Sequence, residues 1–161
     1  MSIESKEQLI MKLNNYIHHG YIAIDSYDDP RDEVATLLTK LHFTDEKECV
    51  IFCKKILGSE GISDEFLDSS CLSHLFDLEK EYALNYVQSH LNNIPAPMLD
   101  AVMDGLTQYS KTPFRHEISD DLISNVYVQY NILSKRPFYK KMLESSYSFF
   151  TEEYPKDNDV R

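Results

Sequence analysis

At 161 residues and 18.8 kDa, with 42% hydrophobic content, the chain is long and apolar enough to bury a core rather than stay unfolded. Its 27 Asp and Glu against 16 Lys and Arg give a formal net charge of −11, which disfavours direct nucleic-acid binding because that rests on clustered cations. No apolar run approaches the roughly 20 residues of a membrane span, and the opening MSIESKEQLIMKL places acid where a secretion signal carries a basic leader. A cytoplasmic protein without membrane contact is therefore expected.

Apolar residues recur with a helical period along most of the chain. Ile10, Leu13 and Ile17 predict a first helix. The stretch from Gly20 to Asp29, GYIAIDSYDD, is the least helical and reads as an acidic loop or a short extended piece. Pro30 after Asp29 has the form of a helix start, and Val34, Leu37, Leu38 and Leu41 supply the apolar stripe. Thr44 ahead of Asp45, Glu46 and Lys47 is the N-cap candidate for a helix carrying Cys49, Phe52, Cys53 and Ile56, closed by Gly58 and Gly61. Ser63, Asp64 and Glu65 open another, through Phe66, Leu67, Leu72 and Leu75.

The second half continues in the same way. Leu84, Val87 and Leu91 predict a helix ending near Asn92, and Pro95 and Pro97 separate it from one carrying Leu99, Val102, Met103 and Leu106. Pro113 and Pro137 then bracket Ile123, Val126, Tyr127 and Tyr130, and Tyr139, Met142, Leu143 and Phe150 mark the last helix. The expected fold is all-α, with about eight helices in a single domain over 1–154 and a charged, frayed tail over 155–161. Sliding the sequence by 34 residues sets Cys49, Val50, Phe52, Cys53 and Leu57 over Ala83, Leu84, Tyr86, Val87 and Leu91. That period suits a helical-hairpin stack, a HEAT-like α-solenoid, with an irregular helical bundle as the alternative.

Catalytic motifs fail one by one. Four glycines, Gly20, Gly58, Gly61 and Gly105, leave neither a phosphate-cradling loop nor a nucleophile elbow. His116 and Glu117 begin like a zinc-protease helix, but Asp120 stands where the second histidine is needed. Cys49, Cys53, Cys71 and His74 have the chemistry of a tetrahedral zinc site. The first two nevertheless sit mid-helix on an apolar face, where a reduced core thiol is the commoner role, and the odd cysteine count suits reduced thiols too. His74 and His90 fall near apolar stripes, the place of a hydrogen-bonded core histidine. No metal, cofactor or enzymatic activity is expected. The basic run Lys135, Arg136, Lys140 and Lys141 reads as helix-end cations favoured by the dipole.

What remains is acid and tyrosine on a helical scaffold. From Asp25 to Glu33 five acids face Arg31 alone, and from Glu60 to Glu81 seven acids face Lys80 alone. The 11 tyrosines exceed what a core of this size uses, and tyrosine gives contact area at low entropy cost. The candidate contact set is Asp25, Tyr27, Asp28 and Asp29 in the first stretch, with Asp64, Glu65, Asp68, Asp77 and Glu79 in the second. The partner such a set suits is a basic protein.

In overall character, as a small, acidic, helical chain without a catalytic motif, the sequence resembles the immunity proteins that bacteria pair with toxins of the colicin and contact-dependent growth inhibition kind. The resemblance spans the whole chain and includes no diagnostic motif. It implies an inhibitor that covers the active site or substrate path of a cognate toxin, often a basic nuclease. The alternative is a helical-repeat adaptor for an endogenous protein or peptide, its acids only solvating the surface. A third reading, an enzyme whose site is assembled from scattered carboxylates and histidines, has the failed motifs against it.

Overall fold

The computed structural model describes residues 3–22 and 29–156. Eight α-helices run through them: α1 (Lys6–His19), α2 (Pro30–Thr44), α3 (Glu46–Ile56), α4 (Glu65–Leu78), α5 (Lys80–His90), α6 (Ala96–Tyr109), α7 (Asp120–Leu133) and α8 (Pro137–Glu153). A 3-10 turn at Pro113–Glu117 links α6 to α7, and no strand occurs among the described residues. The all-α expectation is met.

Helix starts in the first half are fixed by short polar side chains. Ser5 and Gln8 form a reciprocal capping box on α1. Asp29, Asp45 and Asp64 accept the backbone N–H of Arg31, Glu48 and Leu67 at 2.9, 3.1 and 2.8 Å, closing the N-termini of α2, α3 and α4. The cap of α3 is thus Asp45, not Thr44, which is the last residue of α2 with its hydroxyl turned back to the Lys40 carbonyl. Threonine is the weaker cap, and α2 runs one residue past the point where it would act. Gly58 and Gly61 take φ of +76° and +79° after α3, the left-handed turns that let the chain reverse into α4.

The helices group into two compact units, Met1–Glu79 and Lys80–Arg161. In the first, α2 is the hub, packing on α1, α3 and α4, while α3 also packs on α4 and α1. Its core is Leu9, Leu13, Val34, Leu37, Leu38, Leu41, Phe52, Ile56, Leu67, Leu72 and Leu75 with the three cysteines, all essentially without exposure. The buried stripe of α1 is Leu9, Leu13 and Tyr16, one position off the predicted Ile10 and Ile17, which are half-buried. Tyr16 is the reason: it is fully enclosed and donates to the Ile62 carbonyl, and its bulk sets which face turns inward.

In the second unit α6 is the hub, packed mainly against α8 and also against α7. Its core is more aromatic: Tyr109, Tyr127, Phe150 and Tyr154 are buried with Leu99, Val102, Met103, Leu106, Val126 and Leu143. The hydroxyls are used up internally, since Tyr127 donates to the Tyr154 carbonyl and Tyr154 to that of Leu106. Tyr130 stacks on Tyr147 with ring centroids 3.5 Å apart. Tyr154 is thus the last core residue, while Pro155 and Lys156 are exposed; 157–161, the rest of the expected tail, lie outside the described residues.

The sequence repeat has a structural counterpart in length and register. Helices α3 and α5 begin 34 residues apart and are 11 residues each.

Candidate functional site

The predicted contact acids divide into three groups. Asp25, Tyr27 and Asp28 lie outside the described residues. Asp29 and Asp64 are brought together, because both reach Arg31: its guanidinium is 3.0 Å from Asp29 and 3.4 Å from Asp64. The two acidic stretches of the sequence therefore meet where α2 and α4 begin. Hydrogen bonds from Arg31 hold the Asp29 carboxyl below its ordinary range. Glu65 and Asp68 follow on the first turns of α4, and Phe66 between them is 57% exposed. Asp68 accepts from the Gly58 N–H at 2.9 Å and the Ser63 hydroxyl at 2.6 Å, so it braces the turn that precedes its own helix.

Asp77 and Glu79 stand at the opposite end of α4. Thirteen residues of helix put Asp77 about 20 Å from Asp64, so the nine predicted contacts do not form one patch. Glu79 pairs with Lys54 at 3.3 Å.

Asp77 is part of a different constellation. Its carboxylate lies 2.9 Å from Nε2 of His42, and Nδ1 of His42 lies 2.8 Å from Nδ1 of His74. One ring nitrogen of each histidine and the sulfur of Cys49 all lie within 4.8 Å of one another. Three helices deliver these groups, α2 His42, α3 Cys49 and α4 His74, and the three helices pack on each other. The Cys49 thiol donates to the Leu38 carbonyl at 3.5 Å. Contact with Cys53, then burial, pushes that thiol up. Burial, aided by repulsion from His42, brings His74 down to about 4, so its imidazole is neutral at pH 7.

Of the quartet Cys49, Cys53, Cys71 and His74, all three thiols are fully buried, as expected for core cysteines. His74 is hydrogen-bonded in the manner expected, but His90 is exposed and stacks on Tyr86 at 4.0 Å rather than entering the core. It is the last residue of α5, where the apolar stripe has no helix left to cover it. The residue that sequence reasoning missed is His42. It belongs to no spacing motif, and its signal was its position directly after Leu41 in the α2 stripe.

The basic run also reads differently in three dimensions. Lys135 and Arg136 follow the C-terminus of α7, where the dipole favours them, but Lys140 and Lys141 fall in the opening turns of α8, where it opposes them. Both line a groove of about 550 Å³ beside the Tyr130–Tyr147 stack.

Among the described residues no helix is long and apolar enough to cross a membrane. No family model matches the chain, and no curated protein matches it.

Proposed function

We propose that the chain is an immunity protein: it binds a cognate bacterial toxin, a basic nuclease domain, and neutralises it by covering the active site or the path of the substrate. The observation that supports this best is where the charge lies. Residues 1–79 hold 16 acids against 7 bases, and 80–161 hold 11 against 9. Within that acidic unit the convergence of Asp29, Asp64 and Glu65 at the start of α2 and α4 places carboxylates where a nuclease expects phosphates, and the exposed Phe66 ring supplies the apolar anchor an interface needs. Acid on one partner and base on the other accelerates and orients encounter, an effect that salt screens.

The reading is tested by tagging the chain, purifying it from its native cell at low and high salt, and identifying what comes with it. A stoichiometric basic protein, toxic when expressed alone and harmless alongside the chain, is the expected result. A housekeeping protein bound equally well at both salts would replace the immunity reading with the adaptor. The interface is then tested by a combined Asp29→Asn, Asp64→Asn and Glu65→Gln variant, since asparagine keeps both helix caps while removing the charge. Association with the partner should slow about tenfold and lose salt dependence; an unchanged rate and salt slope would move the interface elsewhere.

A further inference from the structure

We infer that His42, Cys49 and His74 form a binding site for a zinc-class divalent cation, with Asp77 orienting His42 from behind. The inference is independent of any toxin partner. Two imidazoles and a thiolate are the donor set that selects borderline-soft metals over magnesium or calcium, which take oxygen.

The geometry suits it. Bond lengths of about 2.0–2.1 Å to nitrogen and 2.3 Å to sulfur put tetrahedral ligand atoms about 3.3–3.6 Å apart. The three donors already lie within 4.8 Å of one another, and the two Nδ1 atoms, at 2.8 Å, need to open by only about half an ångström. Each donor comes from a different helix, and each pair of those helices is packed, so the arrangement is held before any metal arrives.

The surrounding hydrogen bonds have the form of a metal site's outer layer. A carboxylate accepting from one ring N–H of a histidine leaves the other nitrogen with its lone pair, and Asp77 does this to His42 through Nε2 at 2.9 Å. His42 Nδ1 is then the acceptor and His74 Nδ1 the donor of the bond between them. A cation takes the place of that shared proton, which moves to Nε2 of His74, and of the Cys49 thiol proton, which leaves for solvent; the Leu38 carbonyl is released. Three protein donors leave a fourth position for water or an outside ligand, the pattern of an open rather than a closed zinc site. His74 also lines an open groove of about 380 Å³ with Thr36, Thr39, Ser70 and Ser73, which gives ion and water a way in.

Cobalt(II), added to reduced, chelator-treated protein, is the probe. One equivalent per chain should give intense tetrahedral visible bands and a thiolate-to-cobalt charge-transfer band, both displaced by zinc. Cys49→Ser should abolish the charge-transfer band, and Cys71→Ser should keep it. Asp77→Asn should weaken binding about 10- to 100-fold while circular dichroism stays that of the wild type. His42→Gln, at a partly exposed position that folds without the buried thiols being touched, covers the case in which Cys49→Ser does not fold, and it should weaken binding at least as much as Asp77→Asn. Absence of the charge-transfer band in the wild type, its persistence in folded Cys49→Ser, or wild-type affinity in folded His42→Gln would each overturn the assignment.

Discussion

The two units solve the same architectural problem with different chemistry. Each packs its neighbours around one hub, α2 in 1–79 and α6 in 80–161. The first fills its core largely with aliphatic side chains and cysteines and closes every helix start from α1 to α4 with a side-chain cap. The second holds 8 of the 11 tyrosines, and α6 and α8 begin at prolines without a side-chain cap bond. There, tyrosine hydroxyls tie helix ends to backbone carbonyls. The difference teaches that acid is not by itself evidence of a binding surface. In the first unit Asp29, Asp45 and Asp64 are caps, Asp68 braces a turn, and Glu4 bridges Lys12 and Lys40. Part of the net charge is how that unit builds helices.

The contrast can be broken first in the aromatic core. Phe150→Ala in α8, at a fully buried position touching the rings of Tyr127 and Tyr154, should cost about 3–5 kcal/mol. Denaturant unfolding measures it, and a loss under about 1 kcal/mol would mean that the hub of the second unit does not depend on its aromatics.

Capping is the next test. Asp45→Ala should destabilise by about 1 kcal/mol, whereas Asp45→Asn should recover most of the loss because the amide oxygen still accepts from the Glu48 N–H. Equal losses in both variants would show that charge, through the Lys6 ion pair at 3.4 Å, matters more than the cap.

Tyr154→Phe isolates the corresponding device in the second unit. It keeps the ring and removes the donor to the Leu106 carbonyl, at an expected net cost of about 0.5–1.5 kcal/mol. Thermal unfolding unchanged from the wild type would locate the benefit of Tyr154 in its ring alone.

The smallest effect concerns pH. Hydrogen bonds from Lys12 and Lys40 lower the Glu4 carboxyl below its model value of 4.5. A carboxylate depressed in the folded state contributes stability that is present above the unfolded value and is lost as pH falls through the folded one. Glu4→Gln should therefore cost about 0.2–1 kcal/mol at pH 7 and nothing at pH well below 4.5. A loss that persists in acid would be due to packing rather than charge.

The helices were legible because their signals are local. Pro30 after Asp29, Pro137, the glycines after α3 and the stripe at Val34, Leu37, Leu38 and Leu41 each act within a turn or two, and each is found where the period and the cap rules place it. The cap of α3 and the inward face of α1 slipped by one residue because several neighbouring residues could serve and packing selected among them: Asp45 over Thr44, Leu9 and Tyr16 over Ile10 and Ile17. The convergence of Asp29 with Asp64 was hinted at by charge density alone. The His42 cluster was not legible at all, since 32 residues separate His42 from His74 and no spacing rule spans three helices.

By itself, then, the sequence determined the helical class, the element order and the acidic balance, because propensity, capping and net charge are properties of short segments and of composition. Only the tertiary structure decided which acids are spent on caps and pairs, that the helices gather into two cores, and that two histidines and a cysteine from three helices share one point. Those are matters of distance between segments remote in sequence, and distance is set by how the hub helices pack.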